Sequence, residues 1–184
     1  MEKSITDSRT IKKVVIIGPE STGKSTLSSE LAKHYNTTWV KEYAREFIEN
    51  LNRPYEEYDL LDIAKGQLQA EDFEAQQANK LLICDTNLIT IKVWSEYKYK
   101  TCHSEILENI NSKKYDLYLL TNVDIPWIED PQREHPNMRK FFYNIYKREL
   151  EKTGVPWVDI NGENNIDRLN KAIKNIDKII GVLS

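Results

Sequence analysis

The stretch Gly18-Pro19-Glu20-Ser21-Thr22-Gly23-Lys24-Ser25-Thr26 follows directly on the apolar run Val14-Val15-Ile16-Ile17 and precedes a segment in which Leu27 and Leu31 stand four residues apart. The apolar run reads as a buried strand, and the leucine spacing predicts a helix over about residues 24–35. Gly18-x-x-x-x-Gly23-Lys24-Ser25 has the spacing of a phosphate loop, and a strand before it with a helix after it is the context that gives the spacing meaning. Glycines let the backbone wrap around an anion, so that successive N–H groups from Glu20 to Thr26 and the helix N-terminus point at phosphates. Lys24 is expected to reach the β and γ phosphates of ATP, and the Ser25 hydroxyl to ligate Mg²⁺.

The rest of the chain repeats the alternation. Thr37-Thr38-Trp39-Val40, Leu81 to Asp85, Asp116 to Thr121 and Val155 to Ile160 read as four further strands. Helical patterns fill the intervals: about 56–80, two pieces within 88–112, about 137–152, and 164–180. Strands alternating with helices imply an α/β fold with a five-stranded parallel sheet covered on both faces, here a P-loop NTPase fold. The stripe Ile166, Leu169, Ile173, Ile176 and Ile180 spans barely two heptads, which reads as core packing rather than a coiled-coil seam. Residues 1–10 read as a loose polar tail, and residues 1–184 as a single domain.

With 26 Lys plus Arg against 29 Asp plus Glu, the net charge of -3 offers no field to draw the protein onto nucleic acid or an anionic membrane. No apolar run approaches the roughly 18 residues that span a bilayer. Two cysteines make neither a disulfide framework nor a zinc site, so a cytoplasmic setting and a small-molecule partner are expected. His34, His103 and His135 show no ligand spacing.

A phosphate loop alone does not decide between a motor, a switch and a kinase. The guanine-reading pattern would need a lysine where this chain has Thr121-Asn122-Val123-Asp124, and no Asp-x-x-Gly follows the third strand. A small-molecule kinase needs a carboxylate near the acceptor hydroxyl, an acidic group for the metal, an acceptor pocket, and arginines that cover the transferring phosphoryl. Glu42 and Arg45 follow the second strand and Asp85 ends the third, which puts them at the carboxyl edge of the sheet, where ligands bind in open α/β folds. The proline-rich segment 124–136 reads as a lid loop, with Arg133 inside it, Arg139 just beyond it and Trp127 in need of a stacking partner. Gly66 costs a helix about 1 kcal/mol relative to Ala, which marks a place where a neighbour or ligand approaches. Gln67 and Glu71 share one helix face, directed either at an acceptor pocket or at solvent.

In order along the chain, "GPESTGKSTL", "EYAREF", "IAKGQ", "CDTN", "YDLYLLTNVDIPWIEDPQR" and "VDING" resemble the ribosylnicotinamide kinase domain of NadR-type NAD-biosynthesis proteins, a nucleoside-kinase-like branch of the phosphate-loop fold. The resemblance covers about residues 12–168. It implies transfer of the ATP γ phosphate to the 5′ hydroxyl of nicotinamide riboside, giving nicotinamide mononucleotide. It also implies roles: Glu42 as base, Asp85 as metal or ribose contact, Arg45 on the acceptor, Arg133 and Arg139 as lid arginines. Trp127, Tyr55 or Trp94 would stack on the cationic ring, and Asn161-Gly162 would lie under the adenine. Gln67 and Asp124 complete the acceptor-site candidates. The family usually shows Asp-Thr-Asp where this chain has Asp85-Thr86-Asn87, and the His-x-Gly-His motif of the larger proteins is not in this sequence. The expected product is therefore the mononucleotide. Another nucleoside or nucleotide kinase, or an ATP-binding regulatory module, stays open on the residues alone.

Overall fold

A computed structural model describes residues 11–162 and 164–182; the expected tail over 1–10 lies outside the described residues. Five strands, β1 (Lys12–Ile17), β2 (Trp39–Val40), β3 (Leu81–Asp85), β4 (Leu117–Thr121) and β5 (Trp157–Ile160), form one parallel sheet in the order β2-β3-β1-β4-β5. Helices α1 (Lys24–His34), α2 (Tyr43–Asn50), α3 (Asp59–Ala75), α4 (Leu88–Tyr99), α5 (Ser104–Ser112), α6 (Arg139–Thr153) and α7 (Asn165–Ile180) complete the alternation.

The apolar runs are continuous because the central strands are buried on both faces. In β1 the side chains alternate: Val14 and Ile16 pack with Leu27 and Leu31 of α1 and Ala172 and Ile176 of α7. Val15 and Ile17 pack on the other face with Ile89 and Val93 of α4 and Phe142, Tyr146 and Leu150 of α6. On α7 the isoleucine stripe is a core face, with Ile176 fully buried, while Ile166 at its start is 69% exposed.

Several elements are shorter than their patterns predict, among them α3, which also ends at Ala75, β2, and β5, which begins at Trp157. The helix expected from 56 begins at Asp59, because Arg53 clamps the Asp59 carboxylate with bonds of 2.7 and 2.8 Å and the Glu56 N–H donates to the same group, closing a turn instead. Strand β2 keeps only two residues, since the Thr37 hydroxyl donates to the Leu81 carbonyl and takes the place of a ladder bond. No helix among the described residues is long and apolar enough to cross a membrane, and Cys84 and Cys102 are free thiols.

The connection from β1 leaves toward β2 across one face, and that from β3 leaves toward β4 across the other. Adjacent β1 and β3 therefore mark the switch point, and their register pairs Ile16 with Asp85. Open α/β sheets bind ligands outside the carboxyl ends of such a pair. Here that edge carries Gly18 and Asp85.

Candidate active site

The phosphate loop is pinned from inside the protein. Gly18 has φ +149°, and a Cβ there would sit 2.4 Å from Thr121 Oγ1, so only glycine fits against β4. The Thr22 hydroxyl pairs with Pro19 O and with Thr121 Oγ1, both at 2.7 Å, and Arg168 of α7 donates to Thr22 O at 2.8 Å. Gly23, at φ +76°, turns the chain into α1. The Lys24 ammonium donates to Pro19 O at 2.8 Å, which folds the side chain back over the cradle.

This loop forms one side of a cavity of about 400 Å³. All of Gly18, Glu20, Ser21, Thr22, Gly23, Lys24, Ser25 and Thr26 line it, as do Glu42, Arg45, Tyr55, Trp94 and Arg133. Gln67, Asp85, Asp124, Trp127, Arg139, Asn161 and Gly162 do not line it.

Glu42 is the N-cap of α2, yet its side chain makes no capping bond, which leaves the carboxylate free to face the loop. Burial pushes its carboxyl up to about 7; the Lys24 ammonium opposes the shift and the Asp85 carboxylate adds to it. Asp85 is 1% exposed at the end of β3. Burial raises its carboxyl as well, against the Lys24 ammonium and the Ser25 hydroxyl beside it. Its Oδ1 is buried without a hydrogen-bond partner. An orphaned carboxylate oxygen next to a hydroxyl at a phosphate loop is a donor set of the hard oxygen type that Mg²⁺ takes.

The segment 122–138, between β4 and α6, has no regular structure and is fastened to the phosphate loop. The Glu20 carboxylate accepts the backbone N–H of Glu134 and of His135, the Ser21 hydroxyl accepts that of Ile128 at 2.8 Å, and Arg139 donates to Ser21 O and Ile125 O. From α2, Arg45 pairs with Asp130 at 2.7 Å and its carbonyl accepts from Gln132. The stacking partners of Trp127 are protein groups, Arg133 at 6.0 Å and Arg139 at 5.8 Å from the ring centre. One aromatic pair on the cavity wall is Tyr55 and Trp94, with ring centres 6.5 Å apart at 34°, and the Lys98 ammonium lies 3.7 Å over Tyr55.

The remaining candidates hold the scaffold. Gln67 accepts the Tyr43 N–H at 2.9 Å, and Glu71 accepts the Tyr115 hydroxyl at 3.0 Å, so the face they share is buried against the fold, toward neither solvent nor the cavity. Gly66 admits a neighbour, the Tyr43 ring. Asp124 accepts from Gly162 N and from Arg168, and Asn161 bonds Asp159 and Lys171. At the departure from Asp-Thr-Asp, Asn87 caps α4 by accepting from Ile89 N while its amide donates to the Tyr118 hydroxyl, a bond an ionised aspartate has no proton to make.

Sequence reasoning missed Thr90, Tyr97, Lys98, His135 and Tyr146 on the cavity wall. A signal existed for α4: Thr90, Trp94, Tyr97 and Lys98 follow i, i+4, i+7, i+8, one helical face. Arg168, 4% exposed and bonded to the phosphate loop, looked like any exposed helix charge in the sequence.

The AAA domain family model matches residues 13–168. The chain is 29% identical over 179 residues to the trifunctional NAD biosynthesis/regulator protein NadR of Escherichia coli strain K12, covering 93% of this chain and 43% of that protein. It is 28% identical to the protein of the same name from Salmonella typhimurium strain LT2, with the same coverage. It thus spans less than half the length of the curated relatives it matches. A crystal structure of NadR protein in complex with NR superposes with a TM-score of 0.81 at 27% identity, over 94% of this chain and 50% of that one. The thymidylate kinase from Candida albicans shares the fold, with a TM-score of 0.65 at 18% identity over 94% of this chain and 93% of that one. The five-stranded parallel sheet, the loop at its switch point and the model match over most of the chain give one conclusion: the chain belongs to the AAA domain family.

Proposed function

We propose that this chain is a Mg²⁺- and ATP-dependent nicotinamide riboside kinase that makes nicotinamide mononucleotide in the cytoplasm, as one kinase domain with residues 124–136 as its lid. The observation that carries the reading is Glu42: an unbonded carboxylate, raised to about 7, that faces Lys24 across one cavity whose wall also holds Tyr55 and Trp94. The reading is supported by the likeness to NadR protein, one structure of which is described in complex with NR.

The acceptor enters with its cationic ring at Tyr55 and Trp94. Their 6.5 Å separation approaches the roughly 7 Å that a sandwiched planar ring needs, and aromatic faces attract a cationic ring. Glu42 accepts the proton of the 5′ hydroxyl as its oxygen bonds to the γ phosphorus and the bond from that phosphorus to the bridging oxygen breaks, releasing ADP. Lys24 and Arg133 offset the charge on the transferring phosphoryl. Ser25 and Asp85 would hold Mg²⁺, which supplies charge neutralisation between the phosphates. The lid excludes water, which keeps the γ phosphate from hydrolysis.

The test is ADP formation by the purified protein with Mg²⁺-ATP, alone and with nicotinamide riboside, ordinary nucleosides or nucleoside monophosphates. Stimulation by nicotinamide riboside alone upholds the reading. Stimulation by a different acceptor replaces the substrate, and no stimulation by any acceptor removes the kinase.

A further inference from the structure

Thr90 stands in the first turn of α4, 3% exposed, and borders the cavity. Its Oγ1 is buried with no hydrogen-bond partner. The Tyr146 hydroxyl lies beside it and beside Trp94 without completing a bond to Thr90 Oγ1. A buried hydroxyl left unpaired is costly, and native proteins keep few of them. A valine of the same shape would avoid the cost, so the hydroxyl calls for a partner that comes and goes.

Position along α4 says what kind of partner. Thr90 is near the Asp85 end of the helix, and Trp94 lies one turn further, roughly 6 Å along the axis at 1.5 Å per residue. Glu42 and Lys24 line the cavity together with Tyr55 and Trp94, and in the kinase reading the phosphoryl group meets the first two and the ring the last two. Between an acceptor's reacting hydroxyl and its ring lies the sugar.

We propose that Thr90 Oγ1 is a specificity determinant that hydrogen-bonds a secondary hydroxyl of the acceptor's sugar and so selects ribosides over deoxyribosides. The inference rests on the kinase reading above and deepens it.

Thr90→Val and Thr90→Ser are compared with the wild type, using nicotinamide riboside, its 2′-deoxy and 3′-deoxy analogues, and the ordinary ribonucleosides and deoxyribonucleosides. Thr90→Val is expected to lower kcat/KM for the riboside about 10- to 100-fold, with the KM for ATP within twofold. It is also expected to erase the wild type's preference over one of the deoxy analogues and to leave Tm unchanged or raised. Thr90→Ser, which restores the hydroxyl, is expected to recover most of the loss. A lowered Tm for Thr90→Val would make the hydroxyl structural and overturn the proposal, as would kcat/KM within twofold of wild type or a serine variant as impaired as the valine one. If the wild type uses another nucleoside instead, the substrate reading falls while Thr90 faces the same ribo-to-deoxy comparison. An absence of any acceptor dependence overturns both.

Discussion

The Glu20 carboxylate accepts the His135 backbone N–H at 3.0 Å, joining the phosphate loop to the segment that covers it. A carboxylate inside an anion-binding loop opposes the phosphates, and its bonds to the two N–H groups of Glu134 and His135 direct that charge away from them. Glu20→Ala is expected to loosen the cover, at a cost of about 1.5–3 kcal/mol for hydrogen bonds to a charged group. Acceptor phosphorylation should fall roughly 10- to 100-fold, while ADP released per acceptor phosphorylated rises. The check is the ratio of the two products; an unchanged ratio would remove Glu20 from lid control.

Lys24→Ala should lower turnover by a factor on the order of 10²–10³ or more, because the lost ammonium opposes charge that develops on the phosphoryl. Steady-state kinetics against acceptor and ATP decide it. Near-normal kcat would place the chemistry elsewhere.

Glu42 gives a pH signature with a defined sign. A base must be ionised, so kcat/KM should rise about tenfold per pH unit up to about 7 and then level. Glu42→Gln should lower kcat far more than it changes the KM for ATP, and the limb near 7 should vanish. Stability moves the other way. The folded carboxyl titrates near 7 and an unperturbed one near 4.5, so the folded state holds the extra proton between these values and stability falls as pH rises through that window. Above pH 7, Glu42→Gln should therefore melt higher than the wild type, by roughly a few degrees; below 4.5 the two should coincide. Thermal melts at pH 4, 6 and 8 measure this.

Arg133 and Arg139 should separate by phenotype. Both stack on Trp127, but Arg133 lines the cavity, whereas Arg139 does not and donates to Ser21 O and Ile125 O. Arg133→Ala is expected to lower kcat more than Arg139→Ala does and to lower Tm less, since Arg133 has one backbone bond, to Ile128 O, where Arg139 has two. Arg139→Ala is expected to lower Tm and to speed proteolysis of segment 122–138, since it removes the bonds that seat that segment. Equal kinetic profiles with equal Tm would erase the distinction.

The fold was legible because its signals are local: the phosphate loop, the buried strands and the helical periods each declare themselves within about ten residues. The phosphate loop lies in one such stretch and was legible with it. The cavity wall beyond the phosphate loop is assembled from α2, α4, α6, Tyr55 and segment 122–138, and no local pattern says that Tyr146 will face Glu42 across 104 positions. Trp127 shows the limit well. An aromatic in a polar loop does need a stacking partner, but the arginines that provide it are its own neighbours in the chain. Asn87 shows another. Its amide serves a helix cap and a tyrosine, and a comparison of motif letters reads it only as a lost acid.

The Tyr43 ring fills the notch that Gly66 leaves in α3; a Cβ at Gly66 would meet that ring at 2.0 Å. Tyr43 is the residue directly after Glu42, and its N–H is held by Gln67. The carboxylate proposed as proton acceptor is thus aimed from behind, by a ring and an amide that do not line the cavity. In-line transfer is sensitive to misplacement, with about 1 Å worth on the order of 100-fold in rate. A single methyl group on the far side of α2 is then enough to spoil the alignment of a site whose every contact with its ligands is intact.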